Sequence, residues 1–322
     1  MDNQKPFKTI EEQIKILNNR GLIIDDETEI SLRQFGYYSI VNGYKWLFLS
    51  RNSVGKIIKP ERFIKGSSFF EIRGLYDFDK ELRSILYKAL LEYESNLKAK
   101  VSYIFCKNHP EEKSYLNVKN YRDYKHNSVN KTINNLDNTI KKYSLKDYDN
   151  AIKHYLNNYN QVPLWVLVNF LTFGDINYLY RNIDEQVRIS IAKEFSKKYK
   201  DNYNEDVKIQ VESLDSVNHL VNNFRNAVAH GEITYYMHLT KGPSFQNIKK
   251  DLNLKNLKIS SQRGIFELVI SLKLVLTKKC FEELKNSLFN LLDTYNDIFT
   301  SVSFASILHD MNFPDNYKTF IK

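Results

Sequence analysis

The sequence predicts an all-α fold, a helical bundle organised around one very long helix. Apolar residues recur at steps of three and four from about 69 to 107, which is the spacing of one buried helical face. Thr9 and Ser68 are each followed three residues later by a glutamate, the pattern of a capping box at a helix start. Only 10 glycines and 6 prolines occur in 322 residues, which disfavours a turn-rich β architecture.

The bulk composition indicates a globular protein that suits a polyanionic partner. Hydrophobic residues make up 42% of the chain, and the formal net charge is +9. Cys106 and Cys280 each lie in an apolar helical pattern and form no C-x-x-C pair, which indicates two free thiols. The best apolar run, 268–276, is short and contains Lys273, and no signal-like segment precedes it. We therefore expect a cytoplasmic protein with no membrane span.

The first 68 residues are predicted to form a helical extension. A helix follows Thr9 and ends at Gly21, and Asp25 or Asp26 caps a second helix. The aromatic segment 37–44 contains three tyrosines, which we expect to pack against the next helix rather than to bind bases.

The long helix is predicted to begin after Ser68 and to end near 107. Proline disfavours the α conformation in the residue before it, so His109-Pro110 closes the helix. A helix of this length spans on the order of 50 Å, the length of a whole domain.

Two segments carry candidate RNA-binding residues. Segment 111–142 interleaves basic and aromatic side chains, which suits contacts with phosphates and bases, although a merely solvated loop accounts for it equally well. Segment 232–264 has no clean period, and we interpret it as an insertion that shapes a binding groove. The candidates are Lys119, Tyr121, Arg122, Lys125, Lys249 and Lys250.

The remaining helices are predicted from apolar periodicity and capping residues. They cover 133–143, 148–159, 164–173, 176–181, 185–199, 265–276 and 281–299. Pro163 is expected at the start of the third of these helices and Gly174 at its end, while Asp175 and Asp184 read as the N-caps of the next two. No flexible linker divides the chain, so we expect a single domain over 1–322.

The stretch 207–231 combines a core helix with a polar row. Its apolar positions keep the helical spacing of a buried seam, at Leu214, Val217, Val221, Phe224 and Val228. Asn218, Asn222 and Asn226 recur every four residues and lead to His230, with Arg225 beside them. Asparagine is a poor helix former, so this row needs a reason other than helix stability. A structural alternative is that His230 meets the negative end of the helix dipole and Gly231 ends the helix.

Several separated stretches resemble the abortive-infection Abi family, of the AbiD/AbiF type, of bacterial phage-defence proteins. They lie in order over most of the chain and comprise Lys5-Pro6, Glu12-Gln13-Ile14, Arg20-Gly21-Leu22, Tyr37-Tyr38, Gly43-Tyr44, Gly66-Ser67-Ser68-Phe69, Leu75-Tyr76-Asp77-Phe78-Asp79, Leu82-Arg83, Glu94 with Leu97, Pro163-Leu164-Trp165 and Phe173-Gly174. The family core is similar to HEPN domains, helical nucleases with an R-x(4 to 6)-H signature. The resemblance therefore implies a HEPN-like helical bundle with a core of roughly 69–300 and an N-terminal extension of 1–68.

The resemblance also implies a catalytic role for Arg225, Asn226 and His230, which fit the signature. Asn222 and Glu94 are the candidates for positioning these groups. Glu94 could orient the Arg225 guanidinium, or it could be a solvated charge paired with Lys98 four residues on.

The side chains themselves suggest how such a site would cleave RNA. RNA carries its own nucleophile, the 2′-hydroxyl, so cleavage needs proton transfer and stabilisation of a charged phosphorane. His230 suits general base or acid, Arg225 suits a fork on phosphate oxygens, and Asn226 can hold the histidine or the phosphate. No carboxylate cluster accompanies them in the sequence. We therefore expect a reaction without metal or other cofactor that leaves a 2′,3′-cyclic phosphate.

Helix geometry favours a homodimer. Residues five apart on an ideal helix differ by about 140° in direction, so Arg225 and His230 of one helix do not aim at the same phosphate. Two copies related by a twofold axis could assemble a composite site. HEPN proteins similarly act as dimers or pseudo-dimers, and this chain has one R-x(4)-H motif, so we expect a homodimer. The family resemblance also suggests a structured noncoding RNA as partner or antitoxin.

Two other functions compete with an RNA-cleaving toxin. In one, the protein binds nucleic acid and its Arg–His motif is structural. In the other, the helical bundle is a regulatory scaffold on which a partner acts.

Overall fold

The computed structural model describes residues 6–122, 127–240, 242 and 244–322. In chain order the helices are α1 (Ile10–Asn19), α2 (Glu27–Phe35), α3 (Phe69–Asn108), α4 (Asn127–Ser144), α5 (Ala151–Tyr159), α6 (Leu164–Leu167), α7 (Phe173–Asn182), α8 (Glu185–Tyr203), α9 (Val211–Ala229), α10 (Gln246–Asp251), α11 (Ile265–Lys273), α12 (Lys278–Tyr295) and α13 (Phe304–Asp310). Isolated β-bridges occur in these ranges, but no strand does. The predicted all-α class is confirmed.

Helix α3 is the scaffold on which the other elements assemble. It runs for 40 residues, so the predicted long helix is confirmed, and at 1.5 Å per residue it is about 60 Å long. Its capping box is present: the Ser68 hydroxyl accepts from the Glu71 amide, and the Glu71 carboxylate accepts from the Ser68 amide. Along its length α3 contacts α2, α6, α7, α8, α9 and α12.

The N-terminal elements follow the sequence patterns with two corrections. The capping box at Thr9 forms, and Gly21 takes a left-handed φ of 89° beyond the end of α1. Asp26 precedes α2, but its side chain makes no capping hydrogen bond; the Asp25 carboxylate instead accepts from the Thr28 hydroxyl. Tyr44, from the aromatic segment, is buried against α3, as expected, but Tyr38 of the same segment is 81% exposed and does not pack there.

The predictions around Gly174 are wrong. Helix α6 ends at Leu167 and continues only as a 3-10 turn, Val168–Phe170, while Gly174 lies in the first turn of α7. Thr172 is the N-cap of α7, and Asp175 is its capping-box partner three residues on. A threonine and an aspartate at this spacing satisfy two free amides reciprocally, which gives the helix an earlier start than a cap at Asp175 would. Asp184 does cap α8, accepting from the Val187 amide at 3.0 Å.

Several boundaries also differ from the predicted ones. Helix α4 begins six residues earlier than predicted. The described residues of segment 232–264 are largely irregular, as the lack of a period indicated, and the one helix among them is the short α10. Helix α13, which the sequence patterns did not reveal, is capped by Ser303 and spans only seven residues. Cys106 and Cys280 are both free thiols.

Glu71 ties the start of α3 to the chain that leaves α12. One carboxylate oxygen accepts from the Thr300 and Ser301 amides, both at 2.7 Å, and the other accepts from the Ser68 amide at 3.0 Å. Glu71 is almost fully buried, so no water molecule could replace its carboxylate as the hydrogen-bond acceptor of these three amides.

We predict that Glu71→Ala lowers the free energy of unfolding by about 3 kcal/mol, because it leaves buried donors unsatisfied. Urea denaturation followed by circular dichroism measures the change. Glu283→Ala is the control: Glu283 pairs with Lys88 at the surface, so its loss should leave the free energy of unfolding nearly unchanged. An unfolding free energy for Glu71→Ala that equals the control value would contradict the role assigned to Glu71.

Candidate active site at the end of helix α9

Helix α9 presents its predicted apolar seam to the core. The five seam residues, from Leu214 to Val228, are all buried, which confirms the helical spacing. Buried polar groups also come from this helix: Asn218 is fully buried, and its side-chain oxygen accepts from the Tyr93 hydroxyl at 2.7 Å. Asn218 therefore has a structural role in joining α9 to α3.

The polar row becomes more exposed towards the end of the helix. Asn218 is buried, Asn222 is half-buried, and Asn226 is exposed. The Asn222 side-chain oxygen is buried, lies near Gly174, and has no hydrogen-bond partner among the described residues. No hydrogen bond joins Asn222 to Arg225 or Glu94 among the described residues, and its role in positioning them stays a prediction.

His230 is the residue at which α9 ends. Its amide donates to the Asn226 carbonyl at 3.0 Å, and its backbone has already left the helical region, with φ −90° and ψ 1°. Gly231 then takes a φ of 70°, and the Glu232 amide closes the turn by donating to the Ala227 carbonyl. This ending leaves the His230 imidazole exposed to solvent.

Glu94 of α3 forms an ion pair with Arg225 of α9. One Glu94 oxygen accepts from Arg225 Nε at 3.2 Å, and the other pairs with Lys98 Nζ at 2.8 Å. Both partnerships suggested by the sequence occur together, but Glu94 is only 6% exposed and is not a solvated charge. A buried carboxylate between two cations is satisfied on both oxygens, which fixes its orientation.

The contact with Glu94 uses only one edge of the Arg225 guanidinium. Its two terminal nitrogens make no hydrogen bond to the described residues, and the side chain is 23% exposed. These nitrogens form the planar fork that matches the oxygens of a phosphate. Arg225 is therefore anchored through Nε while its fork remains available.

The candidate RNA-binding residues lie in varied surroundings. Lys119 and Lys250 are exposed, and Lys249 is half-buried. Arg122 pairs with Glu185 at 3.5 Å. Lys125 lies outside the described residues.

Tyr121 does not present its ring for stacking. The side chain is buried, its hydroxyl donates to the Tyr115 carbonyl, and its ring lies beside Phe105. Burial raises the pKa of the Tyr121 phenol far above its usual range. The prediction that this ring contacts bases is therefore wrong for the folded protein, because the ring is part of the core.

The lysines of α10 are displaced from the motif along α9. Ser213, near the start of α9, donates to Asp251 at the end of α10. Ser213 and Arg225 are twelve residues apart, or about 18 Å along the helix axis. Lys249 and Lys250 therefore belong to a different part of the surface from Arg225.

Sequence reasoning missed Asp79 as a residue that positions the motif. Asp79 is fully buried in α3 and accepts from the Tyr44 hydroxyl at 2.7 Å, from the Thr234 amide at 3.2 Å and from the Tyr235 amide at 2.7 Å. Arg83 pairs with the same carboxylate and also donates to the Glu232 carbonyl. Hydrogen bonds with Asp79 and Arg83 thus hold the backbone of residues 232–235, just beyond His230, against α3.

The electrostatics of Asp79 reflect its burial. Desolvation raises the pKa of its carboxyl group, and Arg83, the Tyr44 hydroxyl and the two backbone amides oppose this change. A usable signal was present in the sequence, because Tyr44, Asp79 and Arg83 all belong to stretches that resemble the Abi family. Their convergence on one segment required the folded structure.

The fold and the site define an all-α protein with a polar Arg–Asn–His group at the end of a core helix. The chain belongs to the Abi-like protein family, whose model matches residues 31–236, more than half of the chain. Membership in this family indicates a role in abortive-infection defence. The match includes Asp79, Glu94 and the whole motif, and it ends just beyond the segment that Asp79 fastens.

The other comparisons add nothing to this assignment. Neither the curated proteins nor the solved structures give a significant match. In the described ranges, no helix is both long and apolar enough to cross a membrane. Nor do the described side chains include a group of three or more His, Cys, Asp or Glu that could hold a metal ion.

We predict that Asp79→Asn speeds hydrogen exchange at the Thr234 and Tyr235 amides by at least about tenfold, because each amide loses a charged acceptor in a buried setting. Hydrogen–deuterium exchange with mass spectrometry resolves this segment. Asp77→Asn is the matched control, since Asp77 pairs only with Arg73 on the same helix in the described structure. Unchanged protection at both amides would show that Asp79 does not hold the segment.

Proposed function

We propose that this chain is a metal-independent HEPN-type endoribonuclease toxin of bacterial abortive-infection defence. The observation that carries the proposal is the Arg225 guanidinium, which buried Glu94 anchors through Nε while its terminal nitrogens remain unpaired within the described structure. An arginine held in this way at one end of a helix, with the exposed Asn226 and His230 beside it, suits a phosphodiester substrate.

The reaction follows from the chemistry of RNA and of these side chains. His230 takes the proton of the 2′-hydroxyl as O2′ attacks phosphorus. The terminal nitrogens of Arg225 and the Asn226 amide stabilise the charge that develops on the non-bridging oxygens. The P–O5′ bond breaks, and the imidazolium returns the proton to O5′. The products are a 2′,3′-cyclic phosphate and a 5′-hydroxyl, and no other reactant is consumed.

The directions of the two side chains favour a homodimer. Arg225 faces α3, where Glu94 binds it, while His230 lies one residue beyond α9 and faces solvent. On an ideal helix these positions differ by about 140°. A twofold axis near the end of α9 would bring His230 of one copy to Arg225 of the other.

A toxin of this kind needs restraint in the uninfected cell. The net charge of +9 favours a polyanionic inhibitor, and a structured noncoding RNA fits that charge. Such an RNA would occupy the same surface as the substrate.

The competing function is a non-catalytic RNA-binding protein or scaffold in which the motif is structural. The position of His230 favours it, because a histidine followed by a left-handed glycine is an ordinary helix ending. Substitution of the motif separates the two functions.

We predict that Arg225→Ala and His230→Ala each lower RNA cleavage by about 100-fold or more, through loss of phosphate stabilisation and of proton transfer respectively. Single-turnover cleavage of total cellular RNA measures the rate, and filter binding measures RNA affinity, which should change little. Arg33→Ala and His154→Ala, both at exposed positions on other helices, are the controls. Full cleavage by either motif variant would favour the competing function.

We predict that mixing the Arg225→Ala and His230→Ala variants restores cleavage. In an equal mixture, half of randomly paired dimers are mixed, and one of their two sites is intact, which gives about a quarter of the native rate. Sedimentation should give the mass of a dimer for each variant. A mixture as inactive as its components, or a cleaving monomer, would contradict the composite site.

A further inference from the structure

A groove beside the candidate active site carries two exposed aromatic rings. It has a volume of about 740 Å³ and lies between α3 and the short α6 region. We call it the aromatic–basic groove and define it by Lys98, Ser102, Tyr103, Lys107, Trp165 and Asn169. Neither the Arg225–His230 motif nor the basic segment 111–122 includes any of these residues.

The near end of the groove is joined to the catalytic arginine by ion pairs. Lys98 lines the groove and binds one oxygen of Glu94 at 2.8 Å, while the other oxygen of Glu94 binds Arg225 at 3.2 Å. Lys98 and Glu94 are one helical turn apart on the same face of α3. The Lys98 end of the groove therefore lies next to the Glu94–Arg225 contact.

The side chains of the groove suit unpaired nucleotides. Tyr103 is 68% exposed and Trp165 is 56% exposed, whereas about half of the aromatic side chains of the described residues are buried. Exposed rings stack on bases regardless of sequence, and lysines attract phosphates. Among the described residues that line the groove, the charged groups are Lys98, which pairs with Glu94, and the exposed Lys107, and none is a carboxylate.

Charge distinguishes RNA from a second copy of the chain as the occupant. A twofold-related copy would bring its own exposed Lys107 to the same surface, and the like charges would oppose its binding. An RNA backbone brings the opposite charge. Beyond Trp165 the surface includes Glu111 and Glu112 together with Lys113, so the part of the groove without carboxylates ends near Lys107.

We propose that the aromatic–basic groove binds the single-stranded portion of the RNA substrate and delivers it to Arg225. This inference rests on the proposed nuclease function. From Lys98 to Lys107 the groove follows nine residues of α3, about 14 Å. That length accommodates roughly four stacked nucleotides at about 3.4 Å each. Paired RNA cannot offer its bases to the two rings, so the groove selects unpaired segments.

The chain has only two tryptophans, Trp46 and Trp165, which allows a direct test. In the Trp46→Phe variant the indole fluorescence comes from Trp165 alone. An oligoribonucleotide whose 2′-hydroxyls are all methylated has no nucleophile, so it binds without being cleaved. We expect this oligonucleotide to quench the Trp165 fluorescence in the full-length protein. In the reciprocal Trp165→Phe variant, the Trp46 fluorescence should stay constant.

Affinity measurements give the size of the effect. Trp165→Ala should weaken binding of the methylated oligonucleotide by about tenfold or more, as expected for loss of one stacking ring. Lys107→Ala should weaken it less and reduce its salt dependence. Tyr148→Ala is the control, because Tyr148 is exposed to the same degree as Trp165 and does not line the groove.

The outcomes separate this inference from the proposed nuclease function. If Trp165 fluorescence does not respond and Trp165→Ala binds normally, the groove is not the RNA site, whatever the protein cleaves. If Trp165 fluorescence responds but the native protein cleaves no RNA, the result supports RNA binding in the groove and contradicts the proposed nuclease function. If Trp165→Ala instead converts a dimer to a monomer with unchanged RNA affinity, the groove is an interface between copies and the inference is overturned.

Discussion

The geometry of the candidate site depends on one buried carboxylate, Glu94. Burial of a carboxylate without polar partners strongly destabilises a folded protein. The burial of Glu94 is compensated because Lys98 pairs with one of its oxygens and Arg225 with the other. Removal of one partner from such a buried pair costs about 3–5 kcal/mol. The same contact therefore stabilises the packing of α9 on α3 and fixes the guanidinium that is proposed to bind phosphate.

Helix α3 uses buried acidic side chains to bind distant segments at three places along its length. Glu71 holds the Thr300 and Ser301 amides, Asp79 holds the segment after His230, and Glu94 holds Arg225. Each of these acids is buried on α3, and each fastens a segment that is more than a hundred residues away in the chain. A rigid helix about 60 Å long thereby sets the relative positions of both ends of the motif.

The sequence was informative where the signal is local. Helical spacing and capping boxes predicted α3, α9 and the cap at Ser68, because these features depend on residues within one or two turns. Glu94 was identified as a partner of either Arg225 or Lys98, and the structure contains both contacts. Asp79 was missed and Tyr121 was misjudged because burial depends on distant elements: Tyr44 and Thr234 surround Asp79, and Phe105 covers Tyr121. Trp165 was noted only as part of a stretch that resembles the family and not as a binding residue, since only the folded chain places its ring in a groove with Lys98.

The chemical ends of the RNA products test the central claim most directly. The native protein should be incubated with RNA in the presence of EDTA, and the fragments analysed by mass spectrometry. Attack by the 2′-hydroxyl without a metal ion predicts 2′,3′-cyclic phosphate and 5′-hydroxyl ends, which should be lost with His230→Ala. Fragments with 3′-hydroxyl and 5′-phosphate ends, or cleavage that stops in EDTA and resumes with magnesium, would contradict the account.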